Sequence, residues 1–101
     1  MDIKLPTPAV AMCWFGRDDY ARLLEICEDA ANLHANYDDW LESFEKGEQT
    51  LIKDGIRVIR ILANPDDLAA WCVSMKCKVN AQARIRFAIS RANEIALGRN
   101  N

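Results

Sequence analysis

The sequence has little histidine and little glycine. It holds one histidine, His34, and four glycines that stand singly, so no histidine-rich metal site and no glycine-rich phosphate loop can be read in it. No apolar stretch approaches the roughly 18 residues of a membrane-spanning helix. The run Ala9 to Phe15 follows Pro6 and Pro8 and leads straight into Arg17-Asp18-Asp19, which is too short and wrongly flanked for a secretory signal. A cytoplasmic location is the expectation. The cysteines, at positions 13, 27, 72 and 77, form no C-x-x-C pair. Cys72 and Cys77 are spaced so that a continuous helix would hold them off a shared face. Cys27 and Cys72 fall on apolar stripes, so a reduced, structural role is expected for them.

What is present is an ordinary globular composition. With 101 residues, half of them apolar, the chain is long enough for one domain with its own core. Residues 1–8 and 98–101 read as irregular ends. Three Asp-Asp pairs, each followed by an apolar residue, mark helix starts: Asp18-Asp19-Tyr20, Asp38-Asp39-Trp40 and Asp66-Asp67-Leu68. Carboxylates there meet unpaired N–H groups and the positive end of the helix dipole. The net charge of −2 is unevenly spread. Residues 76–101 hold Lys76, Lys78, Arg84, Arg86, Arg91 and Arg99 against Glu94 alone, while the first three-quarters of the chain is acidic.

Periodicity predicts a first helix from about Asp18 to His34 and a second capped by Asn36 and ended by Gly55. The stripe of the second is Tyr37, Trp40, Leu41, Phe44, Leu51 and Ile52. Gly47 falls within it and suggests a close backbone approach or a weak point. Ile56 to Leu62 is the clearest strand, and Ala9 to Phe15 is a second candidate. Asn64-Pro65 opens a third helix, with Leu68, Trp71, Cys72 and Met75 inward. The last helix begins at Val79-Asn80 with Ala81, Ile85, Ala88, Ile89, Ala92, Ile95 and Ala96 as its inward face, and Gly98 as its end. The expected fold is α+β and mostly helical: four helices with one or two short strands, in the order strand, helix, helix, strand, helix, helix. Ile56–Leu62 needs a strand partner, either Ala9–Phe15 or its own copy across a two-fold axis. Trp14, Trp40 and Trp71 are expected to share one core.

Candidate chemistry is sparse. The paired aspartates suit helix starts better than a two-metal centre, which needs convergent carboxylates. A thiol nucleophile would have only His34 as its base, with Cys13 and Cys77 as the cysteines least committed to a stripe. The sharper pattern is Asn80, Arg84, Phe87 and Arg91 on one helical stripe, away from the isoleucine face. With Lys76 and Lys78, Arg84, Phe87 and Arg91 make a candidate interaction surface, suited to stacking and phosphate contact. Against this, Phe87 can pack under another element and the arginines can pair with the acidic helices.

Taken together, W-F-x-x-x-D-Y (Trp14 to Tyr20), Y-D-D-W-L (Tyr37 to Leu41), G-I-R-V-I-R-I (Gly55 to Ile61), N-P-D-D-L-A-A-W-C (Asn64 to Cys72) and A-R-I-R-F-A (Ala83 to Ala88) resemble a family of short bacterial proteins of unknown function. The resemblance covers about residues 14–90. It implies a bacterial, stand-alone protein and supplies no catalytic, cofactor or metal residues. The expected function is that of a non-enzymatic interaction or regulatory protein, acting as a homodimer or with a protein partner and without a cofactor. Nucleic-acid binding through the basic last helix is the alternative, and a carboxylate metal-dependent enzyme a more remote one.

Overall fold

The computed structural model describes residues 9–96. Strand β1 (Ala9–Trp14) leads through a 3-10 turn at Arg17–Asp19 into helix α1 (Tyr20–Ile26). A second 3-10 turn, Ala30–Asn32, precedes helix α2 (Tyr37–Lys53). Strand β2 (Arg57–Leu62) then leads into helices α3 (Pro65–Met75) and α4 (Ala81–Ala96). This is the expected mostly helical α+β architecture, with both strands present. The expected irregular ends and the terminating role of Gly98 lie outside the described residues.

The strands answer the pairing question within one chain. β1 and β2 lie parallel, from Ala9 opposite Arg57 to Trp14 opposite Leu62. Residues opposite one another in a parallel pair share a face. Cys13 and Ile61 therefore face α4, and Met12 and Arg60 face α2. The core lies beyond the C-terminal ends of the strands. There Phe15 and Ala63 meet Tyr20 and Leu23 of α1, Leu68 and Cys72 of α3, and Ala83 and Phe87 of α4. Trp40 and Trp71 both pack on this cluster. Trp14 is not among its residues, against the expectation of one shared tryptophan core; it lies under the Arg60 guanidinium, 5.9 Å from the ring centre.

Three asparagines set three helices going. Asn36 Oδ1 accepts from the Asp39 N–H (2.9 Å), Asn64 Oδ1 from the N–H groups of Asp66 (2.8 Å) and Asp67 (3.2 Å), and Asn80 Oδ1 from the Ala83 N–H (3.0 Å). The aspartates behind them occupy the first turns of α2 and α3, where their charge faces the dipole. The Asp18-Asp19 pair differs: it sits in a 3-10 turn and makes no side-chain cap bond.

Two readings need correction. The helix expected from Asp18 to His34 stops at Ile26, because Cys27 is extended (φ −80°, ψ 127°) and the Glu28 N–H leaves the helix for the Val79 carbonyl (2.7 Å). The inward rung of α2 near its middle is Glu48, not Gly47. Glu48 is buried and holds Arg60 through two bonds of 2.8 and 2.7 Å, while Gly47 is exposed and a Cβ there would meet nothing within 4 Å. Nothing approaches Gly47 closely, so it only weakens the helix. Gly47→Ala should therefore raise the unfolding free energy by about 1 kcal/mol, read as a higher urea midpoint with an unchanged slope.

Candidate functional site

Among the described residues Arg84 is the cation most deeply engaged with the fold. Asn80 starts α4 so that Arg84, one turn on, points at the turn that follows α1. Its Nη1 donates to Cys27 Sγ (3.2 Å) and Asp29 Oδ1 (3.0 Å), and its Nη2 to Asp29 Oδ2 (2.8 Å). The side chains of Arg84 and Asp29 keep only 14% and 18% of their exposure. The guanidinium bonds hold the Asp29 carboxyl below its ordinary range, against the opposing effect of burial. The Arg84 carbonyl accepts from Cys13 Sγ (3.2 Å), which ties α4 to β1. Burial pushes the Cys13 thiol up to about 11, partly offset by Arg84, so at neutral pH it is a thiol donor and not a nucleophile.

Fixing Arg84 inward fixes the rotation of α4. Ala83, Phe87 and Ala88 are buried with it, and Phe87 packs edge-on against Trp71 at 5.6 Å between ring centres. Of the expected inward face Ala88 is buried, but the isoleucines are not. Ile85 is 57% exposed, Ile89 48% and Ile95 61%. The stripe offered as an interaction surface is instead turned into the fold. Phe87 is buried, Arg84 is spent on Asp29, and Arg91 lies over the Phe87 ring (4.9 Å) with Glu94 beside it (3.4 Å). Lys78 reaches Glu28 (3.3 Å), and Lys76 ends α3 in the left-handed conformation. These five residues form no joint platform on which a base could stack. Of the aspartates, Asp38 pairs with Arg17 (2.8 Å) and Asp66 with Arg22 (2.9 Å). Among the described residues no group of three or more His, Cys, Asp or Glu could hold a metal ion.

The rotation of α4 leaves a different site open. A cavity of about 390 Å³ runs along β1, lined by Val10 to Cys13, by Leu23, Trp40, Phe44 and Leu51, and by Ile85 and Arg84. Its strand residues all come from β1 and none from β2, so it lies on the free side of the sheet. Among the described residues nothing hydrogen-bonds that backbone edge. Ala9–Trp14 carries no charge and no proline. The hollow on the β2 side is instead lined by Arg60, Asp67, Arg91 and Glu94. Charges and prolines are the usual guards of a sheet edge, and β1 has neither. Val10 and Ile52 add exposed apolar surface around the groove. The signal for this site was in the sequence, as a strand without a charge and as a helix with one apolar face too many.

Compared with models of protein families, with curated proteins and with solved structures, the chain matches none of them.

The Arg84–Asp29 pair carries a pH dependence of defined sign. A carboxyl whose pKa is lower folded than unfolded contributes stability that is complete at neutral pH and lost as pH falls through the carboxylate range. Asp29→Asn should cost about 2 kcal/mol at pH 7, since it leaves a guanidinium buried without its anion. It should also flatten the fall in stability between about pH 5 and pH 3. Urea titrations at pH 7 and pH 3.5 check both: the gap between wild type and variant narrows at the lower pH.

Proposed function

We propose that this protein is a non-enzymatic interaction protein that works as a homodimer joined along the free edge of β1. The observation that carries the reading is an uncharged strand edge lying open in an apolar groove, next to a second edge that is guarded by charge. Unpaired N–H and C=O groups in such a groove are poorly served by water and are best satisfied by another strand. A neutral edge is complementary to itself, and a two-fold axis normal to the sheet sets β1 antiparallel to its copy. The product is a four-stranded sheet in which Ile85 of the two α4 helices, which lines the groove, closes over one face.

The area is of the right size. Six residues of strand span about 20 Å, and covering layers about 10 Å away on either side make an edge-on face of roughly 400 Å² per copy. Two copies thus bury on the order of 800 Å² in projection. Side-chain relief carries the accessible area toward the ~1,000 Å² that a specific interface requires.

Sedimentation equilibrium of the wild type and of two variants at exposed positions, Val10→Glu and Ile85→Glu, tests the reading. The wild type should sediment as a dimer, and both variants as folded monomers with unchanged far-ultraviolet circular dichroism. A wild type that stays monomeric to about 1 mM overturns it. So does a dimer that both variants leave intact. A monomer that takes an apolar dye into the groove would reassign the same cavity to a small apolar ligand.

A further inference from the structure

Helices α2 and α3 end in the same backbone motif with different side chains at its two anchors. At the end of α2, Gly55 is left-handed (φ 80°), its N–H donates to the Ile52 carbonyl (3.0 Å), and the Ile56 N–H donates to the Leu51 carbonyl (2.9 Å). This pair of bonds brings the first and last side chains of the turn together, usually as an apolar contact, and here those residues are Leu51 and Ile56. At the end of α3 the left-handed residue is Lys76 (φ 57°). Its N–H donates to Val73 (3.1 Å), and the Cys77 N–H donates to the Cys72 carbonyl (3.0 Å). The anchors are two cysteines. Spacing along a continuous helix would hold them apart, but the left-handed turn folds Cys77 back toward Cys72, which corrects the expectation drawn from the sequence.

The two thiols are not equivalent. Cys72 is 1% exposed within the core, whereas Cys77 is half-buried at its rim. Burial first, and the neighbouring Cys77 second, push the Cys72 thiol up to about 11. An external disulfide reaches the more accessible Cys77 first, and the turn leaves Cys72 as the neighbouring sulfur that can resolve the adduct.

The geometry points to Cys72 and Cys77 as a dithiol–disulfide site that accepts oxidising equivalents from small-molecule disulfides. The Cys77 thiolate attacks one sulfur of the disulfide RSSR, forming Cys77–S–S–R and releasing RS⁻. Cys72 Sγ then attacks Cys77 Sγ, closing the Cys72–Cys77 bond. The second RS⁻ leaves with the proton that Cys72 gives up. The first RS⁻ takes the proton originally released from Cys77, so the balance is two protein thiols and RSSR giving one protein disulfide and two RSH. Cys13 takes no part, because it lies on β1 with its thiol held to the Arg84 carbonyl at 3.2 Å; the contact from Cys72 Sγ to the Lys78 carbonyl is much longer, at 3.9 Å. Cys27 also lies close enough to Cys72 to affect its ionisation, so it is the competing partner that the experiment must distinguish.

The test treats the folded, full-length protein with oxidised glutathione, counts the remaining thiols with a maleimide and maps the linkage by peptide mass. Two of the four thiols should be lost, in a single Cys72–Cys77 bond that dithiothreitol reverses. Cys72→Ser should instead accumulate glutathione on Cys77, and Cys77→Ser should retain its three thiols under the same treatment, with circular dichroism showing both variants folded. Retention of all four thiols in the wild type overturns the proposal. So does a linkage through Cys27, or a glutathione adduct that persists on wild-type Cys77.

Discussion

The bidentate bond from Arg84 to Asp29 is the constraint on which the rest of the structure depends. It joins the last helix to the segment between α1 and α2, with Cys27 as a third contact, at side chains that are mostly buried. A buried ion pair adds little net stability over a well-packed apolar pair, because both charges must be desolvated. Its effect here is on geometry. A guanidinium fork accepts a carboxylate in few orientations, so once Arg84 meets Asp29 the rotation of α4 is settled. The course of the backbone at Cys27–Asp29, extended at Cys27 and turning at Asp29, is settled with it.

The early end of α1 and the rotation of α4 both follow from that bond. Residues 18–34 have helical periodicity throughout, yet the chain leaves the helix at Cys27 to present Cys27 and Asp29 to Arg84. In α4 the sequence offers two plausible inward faces. One has the isoleucines, and the other has Phe87 flanked by arginines. Counting apolar residues favours the first. The fold takes the second, because burying Phe87 against Trp71 removes a large ring from water and Arg84 has a partner waiting there. The isoleucine face stays exposed as a result.

What was legible in the sequence is what is decided locally. Asn36 and Asn64-Pro65 announce helix starts through bonds spanning two or three residues, Gly55 announces a stop through its positive φ, and the β-branched run before Asn64 announces a strand. What was not legible depends on residues far apart in the chain. The parallel register of β1 on β2, the Glu48–Arg60 pair and the Arg84 cluster leave no local pattern. Lys76 is an instructive middle case. Its left-handed conformation is local, but lysine does not advertise it as Gly55 does, and so the meeting of Cys72 with Cys77 was hidden.

The parallel sheet also has a consequence for how the chain comes to be folded. Within the chain β1 can complete no ladder until β2 exists, and between them lie α1, the second 3-10 turn and all of α2. A tight hairpin could have formed at once, whereas this pair must wait for a long loop to close and for two helices to find their places. As the polypeptide is made, the less guarded strand therefore emerges before its partner and is among the last elements to be paired. The order of synthesis leaves that strand waiting, and the speed with which α1 and α2 settle determines how long it waits.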